Sequence, residues 1–212
     1  MVSSKVEIPG TDVFLGVFLG IGLASACGFR VFVPPFIVSV SQTLGLLPDG
    51  LAPEWMASEA AVIGFGVVSV VEIGAYYIPW VDNALDVIAT PTAVIAGMLV
   101  SGAMMDELDP AVRWSLSIVA GGGAAAMTQT ATVLARGAST AGTGGLANFV
   151  VASTELLGSI VVTAVTLVFA PLALLLVLGI VVWTFLRMRR DYQKTGRYQR
   201  KGVGVAGCRQ TP

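Results

Sequence analysis

The sequence predicts an all-α, polytopic transmembrane bundle of about six helices, some of them broken or kinked. Three observations carry that expectation. The 212 residues are 55% hydrophobic and only 12% charged, whereas soluble domains carry about 25% charge. The mean hydropathy is +0.84, and a soluble core of this length could not absorb so much apolar sequence without exposing large patches. The apolar residues also come in blocks close to or above the ~20 residues that a helix needs to cross hydrocarbon. Short acidic, proline-rich or glycine-rich links separate these blocks. The length suits one domain. It divides into an N-terminal cytoplasmic segment, 1–11, a transmembrane domain, 12–188, and a basic cytoplasmic tail, 189–212. Lys5, Glu7 and Asp12 around Pro9-Gly10, followed by a long apolar run, do not read as a secretory signal.

The first apolar block, roughly 13–46, is interrupted by Pro34-Pro35. Proline removes a backbone donor and crowds the preceding turn. A helix to about Arg30–Val33, a break, and a second piece ending near Leu46 are therefore expected. An acidic link follows, with Trp55 as an interfacial anchor. The second helix runs from about Glu59 to Tyr77 and ends in Tyr76-Tyr77-Ile78-Pro79-Trp80. Asp82-Asn83-Ala84-Leu85-Asp86 reads as a short polar link. The third helix covers about Val87 to Met105, with a kink at Pro91. The fourth spans about Ala111 to Ala135, starting beside Pro110, a residue suited to a first helical turn. Arg136 to Asn148 reads as a polar, glycine-rich connector. The last apolar stretch, about Phe149–Met188, is nearly twice a membrane thickness. It is either two helices with a turn near Pro171 or one helix that starts outside the bilayer, and a re-entrant piece near Glu155 stays open.

From Arg187 onward eight Lys or Arg stand against one Asp, which assigns the tail to the cytoplasm. Arg136, read as a connector residue, also prefers the cytoplasm. Four crossings before it then place Lys5 on the same side, giving six crossings with both termini cytoplasmic. Val67–Gly74 and Val150–Gly158 echo each other, which fits either an inverted three-helix repeat or chance similarity of apolar sequence.

The charges inside apolar blocks are the candidates for function. Arg30, Glu72 and Glu155 each sit where an unpaired charge costs roughly 3 kcal/mol or more. Arg30 is expected to pair with Glu72 or with Asp82 and Asp86, or else to snorkel if the helix breaks beside it. Asp82 and Asp86, four apart, share a helical face. With Glu72, Asn83 and Thr90 they offer oxygen ligands to a cation, or they cap the third helix. Glu155 also suits a helix start near the surface. Thr128, Gln129, Thr130 and Thr132 make a polar stripe, for interhelical hydrogen bonding or for lining a pathway. Ser139–Asn148 offers free amides and hydroxyls, without phosphate-loop spacing. There is no histidine, which removes the usual proton shuttle. Cys27 and Cys208 are too isolated for a zinc site or a disulfide framework.

Gly28-Phe29-Arg30-Val31-Phe32-Val33-Pro34, Glu72-Ile73 through Tyr76-Tyr77-Ile78-Pro79-Trp80-Val81-Asp82-Asn83 to Asp86, Ile88-Ala89-Thr90-Pro91, and Ala138–Asn148 with Glu155 carry a resemblance. Together they resemble a bacterial membrane family designated domain of unknown function 4126. The likeness covers about residues 12–188, without the tail. It implies a multi-pass protein of the bacterial inner membrane and supplies no activity, so no residue role transfers.

The leading expectation is a small transporter or channel-like protein for an ion or small polar solute. A non-transporting scaffold or accessory subunit is the alternative. An enzyme is not expected, since no nucleophile–base pair is legible, and neither is a cofactor. The expected partners are membrane lipids, a small ion or polar solute and further copies of the chain, not nucleic acid.

Overall fold

The computed structural model describes residues 11–47, 51–78, 81–169 and 179. Two compact units, Met1–Val177 and Leu178–Pro212, divide the chain, and every helix named below belongs to the first. The described residues form six helices and no strand. Four of the helices, Glu59–Tyr76, Ala84–Ala103, Pro110–Thr143 and Asn148–Val168, are long and apolar enough to cross a membrane.

Helix α1, Thr11–Cys27, stops at Gly28. The amides of Gly28, Phe29 and Arg30 still bond back to carbonyls of Ala24, Ser25 and Ala26, so the end winds tight. Helix α2 then runs Val33–Thr43, with prolines in its first turn. This corrects the expected role of Pro34-Pro35. They do not interrupt a helix but begin one, where a missing donor costs nothing and the fixed φ suits the turn. No side chain of α2 caps its start. Glu72 of α3, Glu59–Tyr76, does so instead, accepting from the amides of Val31 at 2.7 Å and Phe32 at 3.0 Å.

The contacts along α1 and α2 show that the pair doubles back. Gly16 faces Met104, and Gly20 faces Ser101, so α1 runs antiparallel to α4, Val81–Ala103. Glu72 meets Val31 and Phe32, Phe36 lies on Gly66, and the Ser39 hydroxyl donates to the Met56 carbonyl. Helix α2 is therefore antiparallel to α3 and returns to the end from which α1 came. Phe29 packs on Gly158, roughly 15 Å along the last helix at 1.5 Å per residue. That is half of the ~30 Å hydrocarbon thickness. The first apolar block is a hairpin of two short helices whose tip, 28–32, packs beside the middle of α6.

The link after α2 is tied down by Gln42 to the Ala52 carbonyl at 3.0 Å and by Thr43 to that of Ala57 at 3.2 Å. Buried Met56 helps seal this end. Ser58 caps α3 through the Ala61 amide. Helix α4 begins at Val81 and passes through Pro91, so Asp82–Asp86 is helix rather than link. Helix α5 is the longest of the described helices, Pro110–Thr143, started by the Asp109 cap on Ala111. At 34 residues it measures roughly 50 Å. It therefore tilts or projects beyond the hydrocarbon. It widens into a π turn at Ser117–Gly122, where it presses on α4. A Cβ on Gly97 would lie 2.6 Å from the Ala125 Cβ, and one on Gly121 would lie 2.5 Å from the Ser101 Cβ. Only glycine permits that crossing.

Helix α5 continues through Arg136, so the expected connector shrinks to Gly144–Ala147, with Gly144 and Gly145 at positive φ. Helix α6, Asn148–Val168, is continuous through Glu155, which removes the re-entrant alternative there. The choice of a turn near Pro171 lies outside the described residues, as do Lys5 and the basic tail. The parity of the crossings also changes. Three full helices, not four, precede Gly144, and the hairpin adds none. The start of α1 therefore lies at the end opposite the 144–147 link. That opposite end also holds the acidic links around Glu54 and Asp106–Asp109. The two echo segments fall late in α3 and early in α6, so they do not mark equivalent places in their helices.

Candidate functional site

The end of the bundle holding the 144–147 link carries two polar layers. The outer layer joins α4, α5 and α6. The Asn148 amide donates to Asp82 Oδ2 at 2.8 Å and to Thr140 Oγ1 at 3.2 Å. Beside it, the Tyr77 and Ser153 hydroxyls are 2.9 Å apart.

The inner layer lies one to two turns deeper and gathers every remaining element around Arg30, at the hairpin tip. Arg30 Nη2 donates to the Ala152 carbonyl at 2.9 Å and lies 3.5 Å from Glu155 Oε2. Arg136 grips the same carboxylate with both arms of its fork, Nε to Oε1 at 2.9 Å and Nη2 to Oε2. Its third nitrogen, Nη1, is 3.4 Å from Asp86 Oδ1. Both guanidiniums lie against the Tyr76 ring, their central carbons 3.9 and 4.0 Å from its centroid. Arg30 is 1% exposed, Arg136 3%, Glu155 4% and Tyr76 6%.

The local reasons are legible. Tyr76 closes α3, Asp86 lies one turn beyond Asp82 on α4, and Glu155 lies two turns into α6, so three helices bring polar groups to one depth. Arginine suits this place because its planar fork matches a carboxylate edge and its weakly hydrated charge stacks on an aromatic face. A buried pair of charges is tolerated only with good geometry and further hydrogen bonds, and Glu155 meets that condition on two cations at once. Not every donor is spent. Among the described residues Arg30 Nε and Nη1 and Arg136 Nη1 have no hydrogen-bond acceptor.

The predicted residues thus divide. Arg30 is buried and paired, but with Glu155 rather than with Glu72, Asp82 or Asp86. This correction follows from the hairpin, which sends the Arg30 side chain toward α5 and α6 while the backbone beside it takes Glu72. Asp86 joins the cluster through Arg136, and Asp82 belongs to the outer layer. Thr90 is exposed, its hydroxyl spent on the Asp86 carbonyl one turn back. The expected cation site lined by Glu72, Asp82, Asn83, Asp86 and Thr90 is therefore not assembled as one site. The Asn83 side chain lies outside the described set.

Three contributors escaped the sequence reading: Arg136, Tyr76 and Asn148. Arg136 had a signal, since Gln129, Thr132, Arg136, Thr140 and Thr143 recur every three or four residues, one face of a helix. The glycines and hydroxyls around it read as a loop, yet both are common in membrane helices.

Neither curated proteins nor solved structures give a match to the chain. The model of one family, described as a domain of unknown function (DUF4126), matches residues 17–191. That span takes in all but the first six residues of the hairpin, both polar layers and all four full-length helices, and the chain belongs to this family.

Proposed function

We propose that this membrane protein moves a small ion or polar solute across the bacterial inner membrane. One observation supports the reading above others: two short helices, α1 and α2, meet inside the bundle and place Arg30 in a buried charge cluster shared by four other helices. Discontinuous helices that meet near the midplane are a recurrent plan for solute sites in transporters, because broken backbone and a half-helix start offer polar groups where lipid offers none. Buried charge that a membrane protein retains despite its cost marks solute or ion pathways by default. The reading is non-enzymatic, with lipid and further copies of the chain as the surrounding partners. The basic excess after Leu186 keeps the tail cytoplasmic. The N-terminus shares that side only if residues 170–188 do not cross, because α1 begins at the end where α6 finishes.

The scaffold reading has one observation of its own. Glu72 is spent on the Val31 and Phe32 amides, and Asp82 bonds Asn148, so these two acids hold helices together. Reconstitution separates the readings. Vesicles holding the purified protein are screened for solute-driven currents and labelled uptake, with Arg30→Gln and Arg136→Gln as controls. Flux that disappears in both folded variants supports transport. A chain that folds, inserts and passes nothing across a broad panel is a scaffold.

A further inference from the structure

Two buried cations share one aromatic ring and one carboxylate, and they leave three donors unspent. Arg30 uses only Nη2, on Glu155 and the Ala152 carbonyl, while its Nε and Nη1 have no acceptor among the described residues. Arg136 Nη1 makes no hydrogen bond and reaches Asp86 only at ion-pair distance, 3.4 Å. Donors buried this deeply cost free energy until an acceptor reaches them. The group that occupies the remaining nitrogens of the two forks is informative. Glu155 shows that the two guanidiniums accept a planar carboxylate, held bidentately by one and shared with the other. Such a fork discriminates by geometry as well as by charge.

We propose that the solute is a small monocarboxylate, bound by Arg30 and Arg136 at the place Glu155 holds in this structure. Glu155 is then a built-in stand-in that, together with Asp86, balances the cation pair when no solute is present. This deepens the transport reading and rests on it. The charge around the pair sets the valence. Asp86 faces it from α4, and Glu72 lies beside the hairpin tip from α3, so a dianion would meet two further carboxylates. The Tyr76 ring fills one side against both guanidiniums, which limits the solute to a short chain. The outer layer of Asp82, Asn148 and Thr140 lies between this place and the nearer end of the bundle, the side from which the solute reaches it.

The stand-in makes a specific demand. A site occupied by its own side chain binds more weakly in proportion to that occupancy. Releasing Glu155 must therefore strengthen binding of an external carboxylate. Thermal unfolding of the detergent-solubilised full chain is followed with acetate and with pyruvate, against chloride at matched ionic strength. Wild type is expected to gain roughly 3–6 °C at a tenfold excess over Kd. Glu155→Gln is expected to bind the same carboxylates about tenfold more tightly or better. If Glu155→Gln does not fold, Asp86→Asn serves, since it leaves the pair more positive and must also raise the acetate response above wild type. Absence of a carboxylate response in wild type overturns the proposal, even if Glu155→Gln responds, because the pair is then only an internal lock. A response to sodium or potassium in place of carboxylate overturns it too, and leaves transport standing with a cation as solute. Uptake of labelled pyruvate into protein-containing vesicles tests the other half. A carboxylate response with no uptake of any solute removes the transport reading instead.

Discussion

Arg136→Gln tests the buried cluster most directly. Arg136 holds Glu155 with two arms, reaches Asp86 at 3.4 Å and lies 4.0 Å from the Tyr76 centroid. Glutamine keeps a polar tip and removes the charge. Glu155 then keeps only the 3.5 Å contact with Arg30, and Asp86 loses its cation. Removing one partner of a buried pair costs about 3–5 kcal/mol, most of it from the charge left behind. At about 2–4 °C per kcal/mol for a chain of this size, the expected fall in Tm is roughly 6–20 °C. Glu155→Gln should cost a similar amount, since it strands two cations. The double variant removes one charge of each sign and leaves Arg30 with Asp86 in the cluster. It should therefore cost less than the two singles together, by about 1–3 kcal/mol. Unfolding in micelles followed by tryptophan fluorescence measures all four corners of the cycle. A Tm for Arg136→Gln within a degree of wild type, or strictly additive singles, would show that the cluster carries no coupled charge.

In a background without Cys27 and Cys208, single cysteines at Ser3 and Leu46 should label from one side of the membrane and a cysteine at Leu146 from the other. Labelling of Ser3 and Leu46 from opposite sides would make the α1–α2 block a full crossing and end the hairpin. Glu72→Ala strips the acceptor from the Val31 and Phe32 amides, and at about 1–3 kcal/mol for each group left bare it should speed hydrogen exchange at both, while exchange within α6 stays slow. Gly97→Val puts branched carbon where Ala125 and Gly121 already press, and overpacking of about 1–3 kcal/mol or more should lower the folded yield in membranes. Thr90→Ala should change Tm by no more than about 0.5 kcal/mol of stability allows, because the residue is exposed and bonds only to its own helix.

What could be read from the sequence was the cost of particular residues, and what could not was their direction. Arg30 and Glu155 stand out because isolated charges in apolar runs must find company. That they find each other depends on the chain doubling back after Phe32, which follows from packing against α3 and has no local signature beyond two prolines. Those prolines were seen, but a proline pair reads equally as the end of one helix and the start of the next. Helix α3 was placed almost to the residue because the apolar run from Glu59 ends in the aromatic cluster at Tyr76–Trp80. Helices α4 and α5 each extend further than their polarity suggests, since Asp82, Asp86, Arg136 and Thr140 point inward to one another. Side chains that satisfy each other inside a bundle look, in one dimension, like a loop meeting water.

The π turn in α5 sets the phase of everything after it. An α-helix advances about 100° per residue, and a π turn accommodates an added residue without breaking the helix. The widened turn at Ser117–Gly122 thus works as a rotary offset between the half of α5 that presses glycine to glycine on α4 and the half that aims Arg136 at Glu155. A single deletion there would leave the helix apolar, long and able to insert, yet would swing Gln129, Thr132, Arg136 and Thr140 by about a quarter turn. The guanidinium would then meet lipid. In this chain the length of that turn, as well as the glycine packed within it, decides whether the charge cluster exists.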